Sequence, residues 1–546
     1  MNLFQTEPRP LPETLKKAGF VLLLFLCWFI PFRVPLADLT LDAIKALPDV
    51  LVLLLAVWYA IEIRFRFRFQ PQDILFLAFE AVALVSTVLV NRLPVTLFIY
   101  QTRSIGIYYI LYFTLRNFGL GERELVTFTK HLQAVSVPLF LLALVEKITS
   151  KTMLFSKAVL SGINASSNFS RVYSMFYNPN TYGLFLIFTI LLSLWLALYG
   201  SYRTRGWIYA LLATSLYMTM SRSSMLILAA GLALLLVLAL REKKLQWKPL
   251  AKDAALVLLC VLAIPYLSGV AAARYYDARA QYQLMDRIRE GTSQAAYITE
   301  VSYTAPDGTE HTGYVFYDIT YLDKECTTPL NEYGCIVHTK NASYILTKEG
   351  GKKVEEFYAL PQSEQDALLE GGSGWRRDEN RDNQVLSNVR DSFDVSSGTR
   401  FGELKDQQMY TSDYNGRLYS VVMAGKILRD HPVFGTGFGT FGSSASLTWE
   451  PPIYRTYKLR ENFYADNQYA CVLAETGALG FVLFFAFLLC TLLRCKKALL
   501  KVIACVTIGW FGLFYNILEV QIGAFLLWSI LSFCETERKD EGSDQA

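Results

Sequence analysis

The sequence predicts an all-α polytopic membrane protein with about twelve transmembrane helices and one extracytoplasmic α+β insertion between spans 9 and 10. Of its 546 residues, 53% are hydrophobic and only 18% are charged, which is too little charge for a soluble chain of this length. The apolar residues form blocks of roughly twenty, the length that crosses a bilayer core of about 30 Å. Backbone groups in lipid need partners within their own segment, so these blocks should be helices.

The apolar blocks divide the chain into three predicted parts. Residues 1–270 hold spans 1–9, residues 271–467 form one large segment, and residues 468–546 hold spans 10–12 and a tail. We predict the spans at 18–37, 47–63, 72–91, 94–115, 125–146, 179–199, 206–220, 223–240, 253–270, 468–493, 498–516 and 518–534.

Lysine and arginine set the predicted orientation, because short cytoplasmic loops carry an excess of both. With the N-terminus inside, the cytoplasmic loops contain Arg64, Arg66, Arg68, Arg116, Arg123, Arg203, Arg205, Arg241, Lys243, Lys244, Lys248, Lys252, Arg494, Lys496, Lys497 and Lys501. The opposite short loops hold little beyond Lys45 and Arg92. We therefore predict both termini in the cytoplasm and segments 147–178 and 271–467 outside. No basic patch indicates a nucleic-acid partner.

Segment 271–467 is too long to be a simple connection. Its first part alternates apolar and polar residues on both sides of Asp307-Gly308, a typical hairpin turn, and the stretch CIVHTKNASYILT is similar. Residues 361–400 are charged and rich in Gly and Ser, which favours a loop. We expect a β-rich insertion at about 285–400 and a helical part at about 401–467.

Four polar clusters lie at the predicted outer ends of the spans, where an unpartnered polar group is costly. In the first, Arg171 precedes Asn178 and Pro179, which are typical of a capped helix start. In the second, Arg222 sits in a turn between two apolar runs. It is either an arginine reaching the interface or a guanidinium clamp for phosphate oxygens.

The third cluster contains Arg417 and a turn, His431-Pro-Val-Phe-Gly-Thr-Gly-Phe-Gly439, which does not follow a strand. We interpret its glycines as allowing tight backbone turns against the membrane helices, and His431 as structural. The fourth contains Asp466, Asn467 and Tyr469 at the start of span 10. Asp466 is either the N-cap of that helix or a functional carboxylate.

Two further charged groups are predicted inside the bundle. Glu475 lies about two turns into span 10, where it needs a buried partner, and we expect a cation there. Arg103 in span 4 and Glu80 in span 3 are predicted to form a structural pair.

These clusters, in this order, resemble the superfamily of O-antigen ligases and O-antigen polymerases. The matching strings are RVYSMFYNPNTYG, MTMSRSSMLIL, GRLYSVVMAGKILRDHPVFGTGFGTF and ADNQYACVLAETGALGF. The resemblance covers about residues 170–270 and 401–490. One position departs from it, because ligases usually show His-Asn where this chain has Asp466-Asn467. The aspartate is more typical of polymerases.

The resemblance implies an inverting glycosyltransferase of the bacterial cytoplasmic membrane that uses neither metal nor cofactor. Its donor would be an undecaprenyl-diphosphate-linked glycan on the extracytoplasmic face, and its acceptor another glycan or a lipid. We expect Asp466 to act as the base and Arg222 to stabilise the departing diphosphate, with Arg171 and Arg417 assisting. Asn467 and Tyr469 are expected to orient the sugar.

Two other functions remain compatible with the sequence. A ligase would transfer finished glycan to a lipid, protein or wall acceptor. A transporter or flippase for lipid-linked glycans would also place arginines along a glycan path, although the repeat symmetry common in transporters is not found here.

Overall fold

The computed structural model describes most of the predicted membrane helices and six short strands. The described residues are 11–32, 42–149, 171–176, 178–200, 202–244, 247–290, 297–304, 310–317, 327–331, 334–338, 343–347, 350–369, 416–449, 451–457, 459, 463–495, 503 and 509–533.

Helices dominate this part of the chain, as the apolar blocks predict. In chain order they are α1 (Glu13–Phe32), α2 (Asp42–Glu62), α3 (Pro71–Leu84), α4 (Val95–Leu115), α5 (Glu122–Thr149), α6 (Pro179–Tyr199), α7 (Gly206–Met218), α8 (Arg222–Arg241), α9 (Trp247–Glu290), α10 (Val354–Tyr358), α11 (Gln362–Leu369), α12 (Gly416–Asp430), α13 (Ser444–Thr448), α14 (Ile453–Thr456), α15 (Gln468–Arg494) and α16 (Gln521–Ser532). Helix α3 continues as a π-helical turn, Val85–Val90.

Seven helical stretches among the described residues are long and apolar enough to cross a membrane. They are Glu13–Phe32, Pro71–Val90, Glu122–Ile148, Pro179–Tyr199, Arg222–Arg241, Lys248–Ala272 and Gln468–Arg494. Helices α7 and α16 are apolar but shorter. The class predicted from composition, a helical membrane protein, is therefore confirmed. Every predicted span overlaps a described helix except 498–516, which is described only in part, and the number twelve stays a prediction.

Helix α6 is the central helix of the bundle. The buried share of its membrane window is 83%, whereas the other six windows reach at most 44%. It packs against α5, α7, α8 and α16. The N-terminus of α6 is therefore surrounded by other chain segments.

Helix α9 is longer than predicted. Its 44 residues would extend about 66 Å at 1.5 Å per residue, twice the thickness of a bilayer core. Only Lys248–Ala272 is apolar enough for the membrane. The predicted end of span 9 at residue 270 thus marks the end of the apolar stretch, but the helix continues into the following segment.

The strands form two small antiparallel sheets. Strands β1 (Tyr297–Thr304) and β2 (Glu310–Tyr317) pair as the predicted hairpin, with Tyr297 opposite Tyr317, while the predicted turn at Asp307-Gly308 lies outside the described residues. The second sheet has the order β3-β4-β5-β6. Its strands are β3 (Thr327–Asn331), β4 (Gly334–His338), β5 (Ser343–Thr347) and β6 (Gly350–Lys353). Helices α10 and α11 follow it, so Gln362–Leu369, within the segment predicted to be a loop from residue 361, is helical instead.

Two ion pairs inside the bundle differ from the predicted pairing. The expected partners Arg103 and Glu80 do not meet. Arg103 instead binds Asp49 of α2, with 2.5 Å between Nη2 and Oδ2, while Glu80 accepts a hydrogen bond from the Thr102 hydroxyl at 2.7 Å. Adjacent residues on a helix point about 100° apart, and the residue facing Glu80 is Thr102 rather than Arg103.

Arg116, assigned from sequence only to a cytoplasmic loop, is buried. Its guanidinium donates to both carboxylate oxygens of Asp73 in α3, at 2.8 and 2.5 Å. Both side chains are almost fully buried, so this pair connects the end of α4 to the start of α3.

Candidate functional site

The start of α6 has the predicted cap. The side-chain oxygen of Asn178 accepts a hydrogen bond from the backbone N–H of Asn180 at 2.8 Å, and Pro179 occupies the first helical position. Proline suits that position because its missing N–H has no partner in a helix start. The cap leaves the Asn180 side chain free to face the neighbouring segments.

The guanidinium group of Arg171 connects this helix start to the end of α7. Its Nη2 donates to Oδ1 of Asn180 and its Nε donates to the carbonyl oxygen of Thr219, both at 3.0 Å. The backbone N–H of Val172 also donates to the carbonyl of Met218 at 3.0 Å. Arg171 therefore holds two membrane helices together at one end.

A buried carboxylate fixes the residues that follow Arg171. Glu146, near the end of α5, accepts hydrogen bonds from the backbone N–H groups of Tyr173 and Ser174, the shortest at 2.6 Å. Ser174 has a φ of 50°, a left-handed conformation uncommon for residues with a side chain. The carboxylate stabilises this turn and so determines where Arg171 lies.

Ser221 joins the same network from the start of α8. Its hydroxyl donates to Oδ1 of Asn180 at 2.7 Å, and its oxygen caps α8 by accepting from the Ser224 N–H. Gly183 of α6 permits this approach, because a Cβ there would lie 2.3 Å from the Ser224 hydroxyl oxygen. Asn180 therefore accepts hydrogen bonds from both Arg171 and Ser221.

Arg222 is the first residue of α8 and its side chain is exposed. Within the described part of the chain, no hydrogen bond or ion pair occupies its guanidinium group. The positive end of the helix dipole lies at the same place and favours an anion there. Arg222 is thus positioned to bind a negatively charged group from outside the protein.

Of the two alternatives that the sequence left open for Asp466, a helix cap or a functional carboxylate, the start of α15 excludes the cap. The cap is Asn467, whose side-chain oxygen accepts from the Ala470 N–H at 2.9 Å. Its amide nitrogen donates to the carbonyl of Leu513 at 3.0 Å. Asp466 lies one residue outside the helix and is partly exposed, so its carboxylate is not needed for capping.

The residues after Asn467 bind the segment before α16. The backbone N–H of Gln468 donates to the carbonyl of Gly512 at 2.8 Å, and its side-chain oxygen accepts from the Leu518 N–H at 2.9 Å. The Tyr469 hydroxyl donates to the carbonyl of Gly509 at 3.3 Å. Asn467 and Tyr469, predicted to orient a sugar, are used here to hold Asp466 in place.

Tyr515 connects the Asp466 segment to the start of α6. Its hydroxyl accepts a hydrogen bond from the Asn178 amide at 2.9 Å, and its ring lies 6.0 Å from that of Tyr464. Burial raises the pKa of Tyr464 well above its usual value of 10. The negative charge of Glu519 raises this pKa further, and that of Asp466 adds a smaller increase. Asp466 and the Asn180 network therefore lie at the same end of the bundle.

Arg417 is placed near this end by its helix. It lies in the first turn of α12, two residues before Tyr419, whose ring makes an edge contact with Phe463 at 5.2 Å. Phe463 directly precedes the Asp466 segment. The side chain of Arg417 lies outside the described residues. His431 follows the other end of α12.

The glycine-rich turn packs on α15, as predicted. The backbone N–H groups of Thr436 and Gly437 donate to the carbonyls of Ala474 and Glu475 at 3.0 and 2.9 Å. Gly477 interrupts α15 with a φ of 65°, and a Cβ there would lie 2.4 Å from the carbonyl oxygen of Val433. Glycine is required at this position both by the φ angle and by the close backbone contact.

Glu475 is fully buried beside this turn, but its partner is not the expected cation. Its Oε1 accepts from the backbone N–H of Phe441 at 2.9 Å. A second buried carboxylate, Glu519, accepts from the backbone N–H of Ser444 at 3.0 Å. Both carboxylates bind the backbone of the turn and the residues after it, which gives them a structural role.

The structure thus brings together Arg171, Arg222 and Asp466 at one end of the bundle and adds residues that sequence reasoning missed. Asn180, Glu146 and Tyr515 connect the three segments. Glu146 had a detectable signal, since it is a lone carboxylate at the end of an apolar span. Asn180 and Tyr515 had none, because their roles depend on which helices are neighbours.

No protein-family model and no curated protein sequence matches this chain.

Proposed function

We propose that this protein is a membrane-embedded glycosyltransferase that polymerises undecaprenyl-diphosphate-linked oligosaccharide units into a surface polysaccharide. It acts in the bacterial cytoplasmic membrane, with the site on the extracytoplasmic side and both termini in the cytoplasm. One observation carries the proposal. Arg222, an exposed arginine whose guanidinium group binds no described residue, shares one end of the helix bundle with Asp466, a partly exposed aspartate that is not a helix cap.

In the proposed reaction, the acceptor hydroxyl oxygen forms a bond to the anomeric carbon of the donor glycan. The bond between that carbon and the diphosphate oxygen breaks, and undecaprenyl diphosphate leaves with the bonding electron pair. The acceptor proton moves to the Asp466 carboxylate. Attack from the side opposite the leaving group inverts the anomeric configuration.

The developing charge on the diphosphate needs a positive partner, and Arg222 supplies it. A guanidinium group presents two parallel N–H donors to phosphate oxygens, and the start of α8 adds the positive end of its dipole. A site at the edge of the bilayer has a low dielectric constant, which strengthens this interaction. We assign Arg417, in the first turn of α12, to binding the same diphosphate.

The other predicted residues act through position. The Arg171 guanidinium is bonded to Asn180 and Thr219, and this fixes the start of α6 against the end of α7, beside Arg222. Asn467 and Tyr469 hold the segment that carries Asp466. A sugar could also contact Tyr469, since its side chain is only partly buried.

The alternative within this class is a ligase. The aspartate at 466, where ligases usually have histidine, favours the polymerase. Deletion of a polymerase removes the ladder of glycan lengths, whereas deletion of a ligase leaves glycan of normal length on undecaprenyl diphosphate. Glycan analysis of a deletion strain separates these outcomes, and loss of transport without loss of in vitro transfer would indicate a flippase.

The chemistry is tested with purified protein and an undecaprenyl-diphosphate-linked oligosaccharide. We expect Asp466→Asn to reduce turnover by roughly 10²–10⁴-fold, the usual contribution of a general base. Arg222→Lys keeps the charge and loses the paired donors, so turnover should also fall. Matched controls are Asp366→Asn on α11 and Arg241→Lys at the opposite end of α8, both exposed. Turnover near the wild-type rate in Asp466→Asn protein would remove the base role.

A further inference from the structure

A cavity of about 550 Å³ lies between α6, α7, α8 and α9, at the ends of α6 and α8 remote from the candidate site. Its volume is within the range of small-molecule sites, about 300–1,000 Å³. Along α8, Ala239 in the lining is seventeen residues from Arg222, or about 26 Å at 1.5 Å per residue. The cavity and the candidate site therefore face opposite surfaces of the bilayer.

One part of the cavity wall is aliphatic. It is formed by side chains of α6 and α8, among them Leu194, Leu198, Leu235 and Leu236. Both helices are apolar enough to cross the membrane, and Leu236 is 40% exposed. This wall suits a hydrocarbon chain entering from the lipid.

The other part of the wall is cationic. Arg203, Lys243 and Lys244 contribute three positive charges, and Asp253 contributes the single negative charge of the lining, which leaves a net charge of +2. Asp253 is 3.8 Å from Arg203, so its charge is already balanced by that arginine.

The two lysines differ in their own contacts. The Lys244 ammonium group lies 3.9 Å from the Glu242 carboxylate and 4.3 Å from the Tyr199 ring. Lys243 is exposed, and the described residues offer it no ion pair or hydrogen bond. Its φ of 54° is uncommon for a residue with a side chain, and it belongs to the turn that places both lysines beside the cavity.

We propose that this cavity binds an anionic phospholipid of the cytoplasmic leaflet. Its phosphate group lies between Lys243 and Lys244, and an acyl chain packs against Leu194, Leu198 and Leu235. Basic pockets between membrane helices on the cytoplasmic side suit such headgroups, and anionic lipids are concentrated in that leaflet. The site is separate from the proposed glycosyltransferase site and does not depend on that proposal.

The test measures lipid binding to the full-length purified protein by native mass spectrometry. The probes are phosphatidylglycerol and phosphatidylcholine with identical acyl chains. We expect the wild type to prefer phosphatidylglycerol. Each lysine near a membrane surface contributes about fivefold in affinity, so K243Q/K244Q protein should bind phosphatidylglycerol roughly 25-fold more weakly and lose the preference.

Two further variants separate the contributions that the lysine charges and the acyl-chain contacts make to lipid binding. R64Q/R66Q removes two exposed charges from the loop after α2, also predicted to be cytoplasmic, and should change binding less than twofold. Ala197→Phe fills the aliphatic part while the lysines remain, and should weaken binding of phosphatidylglycerol. Millimolar inorganic phosphate should not displace the lipid. The proposal would be overturned if K243Q/K244Q or Ala197→Phe protein bound phosphatidylglycerol as tightly as the wild type does. It would also be overturned if inorganic phosphate displaced the lipid.

Discussion

Asp466 and Glu475 lie on the same stretch of chain but in opposite surroundings. Asp466 is outside α15 and partly exposed, at the end of the bundle where Arg222 is exposed as well. Glu475 is fully buried, and it binds a backbone N–H of the residues that follow α12. Asp466 lies just before α15 and Glu475 lies about two turns inside it. Both residues are acidic, so the residue type alone does not distinguish their roles.

The two regions differ in how far their polar groups are already bonded within the protein. Around Glu475, glycines bring two backbones into direct contact, and Ser86 and Asn91 of the third predicted span donate to carbonyls of the same turn. Around Asn180, side chains connect three segments, while Arg222 is exposed and Asp466 is partly exposed. The first region stabilises the fold, and the second is the region that our proposal assigns to the substrate.

The largest expected effect is on the glycine turn. Gly477→Ala adds a Cβ that would lie 2.4 Å from the carbonyl oxygen of Val433, at a φ of 65°. Backbone strain and overpacking together should lower the free energy of unfolding by roughly 3 kcal/mol or more, measured by thermal unfolding in detergent. Gly269→Ala in α9 is the control, because its Cβ meets no atom within 4 Å. It should stabilise the helix by up to about 1 kcal/mol.

Replacing each carboxylate by alanine tests the comparison directly. Glu475→Ala leaves the Phe441 N–H buried without its acceptor and creates a cavity, so it should cost about 2–3 kcal/mol of stability. Asp466→Ala, at a partly exposed position, should lower the free energy of unfolding by less than Glu475→Ala does, while activity is lost. Equal losses of stability would mean that both carboxylates are structural.

Patterns within a single segment allowed much of the fold to be predicted. The apolar blocks predicted the helices, Asn178-Pro179 predicted the start of α6, and Asp307-Gly308 predicted the β1–β2 hairpin. Each depends on a local physical rule: the hydrophobic length of a span, the unpaired N–H groups of a helix start, or the φ angles of a tight turn.

Contacts between distant segments were not predictable in the same way. Arg103 was paired with Glu80 and Glu475 with a cation, whereas the structure gives Asp49 and a backbone N–H as the partners. In each case the charge indicated the need for a partner, but its identity depends on the rotation of the helix and on its neighbours. Asp466 was one candidate for the cap of α15, whereas the structure gives that position to Asn467, which the sequence had assigned to the sugar.

A smaller effect is expected at the centre of the network. Asn180→Ala removes the acceptor shared by Arg171 and Ser221, and two hydrogen bonds at about 1 kcal/mol each predict a loss of roughly 2 kcal/mol. Asn180→Asp keeps an acceptor and should retain most of the stability, since a carboxylate is also favoured in the first turn of a helix. Thermal unfolding of Asn180→Leu, which keeps the side-chain volume but has no acceptor, distinguishes the two explanations: a specific acceptor predicts the same loss as in Asn180→Ala, whereas general packing predicts little loss.

The smallest effect on stability is expected at Arg222. Because no described residue binds its guanidinium, Arg222→Gln should change the free energy of unfolding by less than about 0.5 kcal/mol. Arg171→Gln, by contrast, breaks bonds to Asn180 and Thr219 and should cost about 1–2 kcal/mol. If Arg222 binds the departing diphosphate, its removal should lower turnover by roughly 10²–10³-fold in folded protein. An arginine whose loss affects turnover but not folding has its partner in the substrate, whereas a variant that unfolds as readily as Arg171→Gln would assign Arg222 to the scaffold.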